Sequence, residues 1–287
     1  TFPTNDCSIC ILSPKLVEAG RHFNIELLTY SEILDVKGEP GNFKVWIKKR
    51  ARYVNESLCT GCGICQEKCP WKKDSEFDTR IGTRKAIYIL YPQGVPNIPV
   101  IDRDLCAYFQ KGTCRACEKF CPARAIDFEQ TDQIIEVKVG TIILALGYDT
   151  FDPDSIFNYG YKKRHPNVVT SIEFERMLSA SGPYQGELVR PSDKKPPQRI
   201  AWIQCVGSRD LGSNREYCST VCCTYAIKEA IVAKEHVTIP LEETIFFMDM
   251  RTQGKDFDKF YERAKGEGIR FIRSKVYEIE EVDGAGN

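Results

Sequence analysis

Histidine is scarce in this chain. Only His22, His165 and His236 occur among 287 residues, far apart in the sequence. Imidazole is the commonest metal ligand and the usual acid–base group near neutral pH, so centres built on histidine are not expected. Net charge is absent as well: forty Lys and Arg meet forty Asp and Glu, which argues against a nucleic-acid surface. Nor does any apolar run approach the roughly 18 residues needed to cross a bilayer, and the chain shows no signal-peptide pattern. Yet 42% of the residues are hydrophobic and 28% charged, a composition that packs a core over a length suited to two domains. The chain starts at Thr1 without an initiator methionine and closes on EEVDGAGN. The expectation is a piece of a longer protein.

What the chain has is cysteine, fourteen in all. Clustered thiols in a long chain without a secretion signal read as metal ligands in a reducing, cytoplasmic setting rather than as disulfides. Cys59, Cys62, Cys65 and Cys69 form C-x2-C-x2-C-x3-C-P, closed by Pro70, and Cys106, Cys114, Cys117 and Cys121 form a second run closed by Pro122. This is the ligand spacing of a bacterial-type ferredoxin with two 4Fe-4S clusters. Three thiols of one tight loop wrap one cluster, and the fourth, three residues on, is carried to the other. The expected sets are therefore crossed: Cys59, Cys62, Cys65 with Cys121, and Cys106, Cys114, Cys117 with Cys69. A zinc ribbon is the plain alternative, but zinc needs four ligands and eight stand here in two sets. The seven residues between Cys106 and Cys114 depart from the simplest pattern.

Around this block the sequence predicts β structure over residues 21–52. It predicts a hairpin in AIYILYPQGVPNIPVID and a strand pair over residues 133–147, in which TIILAL reads as a buried strand. A short helix is expected at SIEFERMLSA and a surface loop at RPSDKKPPQ. A second unit then alternates: buried strand 199–204, helix TVCCTYAIKEAIVAKE, strand 244–250, amphipathic helix DFDKFYERAKGEG, and two short strands in IRFIRSKVYEIEEV. That alternation predicts a parallel, Rossmann-like α/β sheet.

After the strand at 199–204, a dinucleotide site would place G-x-G-x-x-G. The chain has Cys205, Gly207 and Asp210 at the three glycine positions. A carboxylate there opposes a pyrophosphate, so NAD(P)H binding is disfavoured. Four thiols gather instead about one helix start: Cys205, Cys218, Cys222 and Cys223. They read as a further metal site, against the plain alternative of buried structural cysteine.

The segments DCSICILSPKLVEAGRHFNIELLTYSEI, GNFKVWIKKRARYV, GTIILALGYDTFDP, IQCVGSRD and YCSTVCCTYAIKEA, with the cysteine block, resemble the A subunit of heterodisulfide reductase. They are also similar to the A subunit of the quinone-interacting membrane-bound oxidoreductase. The resemblance covers nearly the whole chain. It implies a thioredoxin-reductase-like FAD/NAD-type Rossmann flavoprotein core, α/β in class, with an inserted α+β ferredoxin domain. Residues 1–52 and 131–190 would belong to the FAD-binding domain, 53–130 to the ferredoxin insert, and 191–287 to a degenerate NAD-type domain. It further implies a third 4Fe-4S cluster on Cys205, Cys218, Cys222 and Cys223. A flavin contact is implied at Ala145, Leu146 and Gly147, where Leu146 replaces the family's threonine, and Glu175 and Lys228 would fall near the isoalloxazine ring.

The function so implied is an oxidoreductase subunit relaying electrons between FAD and the clusters, with flavin-based electron bifurcation among its modes. Its partners would be the other subunits of an anaerobic, methanogenesis-type complex and ferredoxin- or hydrogenase-type donors and acceptors. The setting would be cytoplasmic, with membrane association only through partner subunits. The rival readings are a flavin-free electron-transfer adaptor, a zinc-stabilised interaction module and a quinone-linked subunit. For Cys7 and Cys10 three readings stay open: part of a cluster, a redox dithiol, or simple packing.

Overall fold

The computed structural model describes residues 8–282, in two compact units, residues 9–148 and residues 149 onward. The fold is mixed α/β. Among the described residues no helix is long and apolar enough to cross a membrane.

In the first unit, helix α1 (Ser8–Arg21) precedes strands β1 (Ser31–Glu39) and β2 (Asn42–Lys49), which pair antiparallel around a tight turn. Pairing thus begins only at Ser31, later than the sequence predicts. Strand β7 (Gln133–Val139) pairs with the other edge of β2, in the register Val45↔Val137. The cysteine block is therefore an excursion between two adjacent strands. Its neck is closed by the Ala51 N–H donating to Asp132 Oδ1 at 2.9 Å and by the bridge Val54↔Ile126.

The excursion holds short elements: α2 (Ile64–Lys68), the hairpin β3 (Lys72–Asp74) with β4 (Thr83–Lys85), the pair β5 (Ile87–Tyr88) with β6 (Val100–Ile101), α3 (Ala107–Lys111) and α4 (Ala116–Lys119). A small core forms from Val54, Ala86, Ile87, Ile101, Ile126 and Phe128, and Cys65, Cys69 and Cys106 belong to it.

TIILAL is not a strand. Residues 141–147 are irregular, and Ile143, Leu144 and Leu146 are 88%, 72% and 85% exposed. The physical reason is the missing partner. The sheet of this unit is antiparallel and its pairing ends at Val139, so an apolar run suited to the interior of a parallel sheet has no ladder to join.

The second unit begins with turns and α5 (Ser171–Leu178), whose start is a capping box: Thr170 accepts from the Glu173 N–H and Glu173 from the Thr170 N–H. Strands β8 (Arg199–Ile203), β9 (Glu242–Phe247) and β10 (Arg270–Arg273) follow in one parallel sheet, with α6 (Cys222–His236) and α7 (Phe257–Gly266) as crossovers. Ile227, Ile231, Ile245 and Ala264 are wholly buried. Each of the isoleucines contributes roughly 1.5–3 kcal/mol by leaving water.

Two sequence expectations fail here. β8 is an edge strand in which only Trp202 is fully buried, because one of its sides has no neighbour. Residues 275–282 form no second strand after β10. Their backbone bonds instead to the turns of residues 158–159: the Ile279 N–H donates to the Asn158 carbonyl and the Tyr159 hydroxyl to the Val276 carbonyl.

Candidate metal centres

Two small cavities lie in the excursion, and cysteines line both. Cys59, Cys62, Cys65 and Cys121 wall the first, with Val54 and Ile126 behind them. Cys69, Cys106, Cys114 and Cys117 wall the second, with Trp71 and Ile101. These are the two crossed groupings that the spacing implies. Among the described residues no set of three or more His, Cys, Asp or Glu side chains is placed to hold a single metal ion. The thiols ring cavities rather than meeting at a point, which suits a polynuclear cluster better than zinc.

Local structure explains how each loop reaches its cavity. Gly61 and Gly63 take positive φ, 70° and 78°, so the chain coils around the first cavity before α2 begins. Alanine at 61 would place Cβ 2.8 Å from the Asn97 carbonyl oxygen, so close approach requires glycine there as well as positive φ does. In the second run the Asp102 carboxylate accepts from the Asp104 and Leu105 N–H groups, and the Asp102 carbonyl accepts from the Cys106 N–H at 2.9 Å. This turn seats Cys106 against the core. Helix α3 then fills the seven-residue gap, and Gly112 (φ 66°) ends it and returns the chain to Cys114. Asp102 is itself held by Lys73 and Arg84, each at 2.8 Å, which keeps its carboxyl below the usual range despite partial burial.

Backbone amides point at sulfur: Gly61 N–H to Cys59 Sγ at 3.5 Å and Ala125 N–H to Cys121 Sγ at 3.3 Å. Burial pushes the Cys65 thiol up to about 11 and the Cys117 thiol to about 12. In the apo form these thiols keep their protons at neutral pH, and metal binding must release them.

The third cysteine set lies in the second unit. Cys205 follows β8 in a left-handed conformation (φ 62°). Its thiol is hydrogen-bonded to Cys222, and Cys222 to Cys223, and Cys218, in the loop before α6, is among the electrostatic neighbours of Cys205. Sharing one proton network drives Cys222 down and its two partners up. Thiolate character therefore concentrates at the first residue of α6, where the helix dipole favours negative charge.

One signal here escapes a reading of the sequence. Arg209 pairs with Asp249 at 2.8 Å and its charge acts on Cys205, yet its buried Nη1 has no hydrogen-bond partner. A cation with a donor unsatisfied near Cys205 and Cys218 fits an anionic group held by the cysteine set.

The dinucleotide turn is blocked by more than its sequence. The ring of Phe151 lies where a Cβ on Gly207 would be, 2.2 Å from its Cγ, and Arg215 stacks on the same ring at 5.4 Å. The close approach that a pyrophosphate needs is thus taken by an aromatic ring. Asp210 accepts from Ser213 and Gly212 and pairs with Lys275.

Of the flavin-side residues, Ala145, Leu146 and Gly147 lie in the exposed segment of the first unit, with open space at Gly147. Glu175 and Lys228 meet in the second unit, 2.8 Å apart and largely buried. Cys10 is exposed on α1, and Cys7 lies outside the described residues.

The geometry defines a class first: an iron–sulfur protein carrying a ferredoxin-like insert. A family model described as a 4Fe-4S binding domain matches residues 52–72. The chain is 49% identical over 280 residues to the A subunit of the H2:CoB-CoM heterodisulfide,ferredoxin reductase of Methanothermobacter thermautotrophicus, covering 97% of this chain and 41% of the relative. It is 51% identical over 282 residues to an iron-sulfur A subunit of the CoB–CoM heterodisulfide reductase of Methanopyrus kandleri, covering 98% and 42%. With the A subunit of the ferredoxin:CoB-CoM heterodisulfide reductase of Methanosarcina mazei it shares 42% over 279 residues, covering 97% and 34%. The chain belongs to the family of heterodisulfide reductase A subunits, and it spans about two fifths of the length of the first two of these relatives and about a third of the last.

Proposed function

We propose that this chain is the electron-relay portion of a heterodisulfide-reductase-like oxidoreductase and holds three 4Fe-4S clusters. The ligands are the two crossed sets of the insert, with Cys205, Cys218, Cys222 and Cys223 as the third. The observation that carries the reading is the pair of cavities, each walled by four cysteines drawn from both runs. Bound clusters supply one-electron steps at buried, fixed positions. This chain's own residues hold the thiolates, aim amides at sulfur and, at Arg209, offset negative charge.

FAD belongs to the same proposal and would convert electron pairs to single electrons. Its support is the resemblance at Ala145–Gly147 and the exposed apolar side chains there. Within the described residues that segment does not enclose a flavin. Lys228 and Glu175 would face the flavin as a mutually compensated ion pair. The thioredoxin-reductase-like core, the domain limits at 52/53, 130/131 and 190/191, bifurcation and the cytoplasmic setting are part of this reading, as are partner subunits and ferredoxin- or hydrogenase-type carriers.

Anaerobic reconstitution tests it. The chain should take up about twelve irons and twelve acid-labile sulfides. Stoichiometric zinc without labile sulfide would return the insert to a zinc module. Flavin content of the full-length protein separates this reading from a flavin-free adaptor.

A further inference from the structure

The third cysteine set sits at the carboxyl edge of the parallel sheet, the side on which open α/β sheets bind their ligands. Cys205 stands two residues beyond β8, Asp249 two residues beyond β9, and Arg273 is the last residue of β10. Arg209 joins these three ends. Its Nη2 donates to Asp249 Oδ2 at 2.8 Å, and Arg273 Nη2 donates to the other oxygen, Oδ1, at 3.0 Å. Two guanidinium groups thus share one carboxylate, and one positive charge is left over. Arg273 is 75% exposed, so water screens it. The Arg209 side chain is 24% exposed and its Nη1 is buried, so the uncompensated charge lies at Arg209.

The backbone fixes that charge beside the thiols. Residues 205–210 and 215–219 are laced together. The Arg209 N–H donates to the Tyr217 carbonyl at 2.9 Å, Ser208 Oγ donates to the same carbonyl at 3.0 Å, and the Ser219 N–H donates to Ser208 Oγ at 3.1 Å. Cys205 and Cys218 belong to the two laced segments, and both are electrostatic neighbours of the guanidinium. Asp249 is tied to the site as well, since its carbonyl accepts from the Cys223 thiol at 3.7 Å. Arg209 holds a left-handed backbone (φ 54°), which residues with a side chain avoid. Among the described residues its Nη1 has no hydrogen-bond partner. A strained backbone that delivers a buried, unsatisfied donor serves a bound group better than it serves the fold.

We infer that Arg209 sets the reduction potential of the group held by Cys205, Cys218, Cys222 and Cys223, and that Asp249 is the counterweight that limits its effect. This rests on the cluster reading above and deepens it. A cluster on four thiolates is anionic, and it gains a further negative charge when it takes up one electron. A fixed cation beside it favours the reduced state, and a carboxylate paired with that cation opposes it. The guanidinium stays charged at any working pH, so the effect is electrostatic alone. A full charge close to a partly buried group shifts its equilibrium by roughly one to three powers of ten.

The test uses the full-length, cluster-loaded protein under anaerobic conditions. Reduction is followed by electron paramagnetic resonance against a set potential, and the third cluster's signal is assigned as the one lost in Cys222→Ala. Arg209→Gln should make that cluster about tenfold harder to reduce, a downward shift of about 60 mV for one electron. Asp249→Asn should make it easier to reduce by a few-fold, because it frees the charge of the arginine. Arg209→Lys keeps the charge and should stay within about threefold of wild type. Opposite shifts at unchanged iron content support the assignment, since a merely structural role would move both substitutions the same way. An unchanged potential in Arg209→Gln, or a downward shift in both variants, overturns it when the iron is retained. If Arg209→Gln fails to load iron, Asp249→Asn decides: an upward shift supports the assignment and no shift overturns it. A wild-type protein with no signal that Cys222→Ala removes overturns the third-cluster reading instead.

Discussion

Glu243 gives the most quantitative handle on the second unit. It stands at the start of β9, 2% exposed, and neither carboxylate oxygen has a hydrogen-bond partner. Burial is the main cause that pushes its carboxyl from the ordinary 4.5 up to about 8, with Glu267 adding to the rise and Lys234 opposing it. The folded state therefore keeps a proton that the unfolded chain releases. Stability is full below pH 4.5 and falls as pH rises from there through 8. At about 1.4 kcal/mol per pH unit, the loss reaches ~3 kcal/mol at pH 7 and ~5 kcal/mol above pH 8. Glu243→Gln removes the titration without changing the shape of the side chain. Anaerobic urea unfolding followed by far-UV circular dichroism should show variant and wild type within about 1 kcal/mol at pH 5, since both are then neutral. The variant should be the more stable by ~3 kcal/mol at pH 7, on the same linkage. A difference that stays flat from pH 5 to 8 would refute the reasoning, because it would mean that Glu243 is solvated or paired in solution.

Two further outcomes are expected. Gly61→Ala forces a left-handed alanine, ~1 kcal/mol of strain, against the Asn97 carbonyl, 2.8 Å from the new Cβ. It should cost the excursion both of its clusters and leave about four of twelve irons; full iron content with unchanged stability would show that the loop yields easily. NADH added to the reconstituted protein should neither bind nor bleach it, since Phe151 and Asp210 occupy the turn. A fluorescence titration that saturates at micromolar NADH would contradict this.

The parts legible in the sequence are those where local chemistry leaves few options. Cys59 to Cys69 must coil, because thiols two residues apart and glycines at 61 and 63 allow little else, and the pattern of α6 and α7 finds its parallel sheet in β8, β9 and β10. What stayed hidden depended on partners distant in sequence. TIILAL has the composition of a strand, but a strand exists only when another backbone supplies its hydrogen bonds. The Phe151 ring on Gly207 joins residues 56 positions apart, and no spacing rule announces it. The unsatisfied Nη1 of Arg209 is visible only once its neighbours are in place.

The crossed cysteine sets have a consequence for assembly. Once filled, the first cavity ties Cys65 to Cys121 and the second ties Cys69 to Cys106, so two nested loops are closed by inorganic cross-links. Closing loops of this size removes a few kcal/mol of chain entropy from the unfolded state, much as a disulfide does. The apolar core beneath is small, so these ties would be a large share of what holds the excursion together. Neither loop can be finished alone, because each lends a thiol to the other. Loading should therefore be close to all-or-none, and damage to either centre by oxygen should release both.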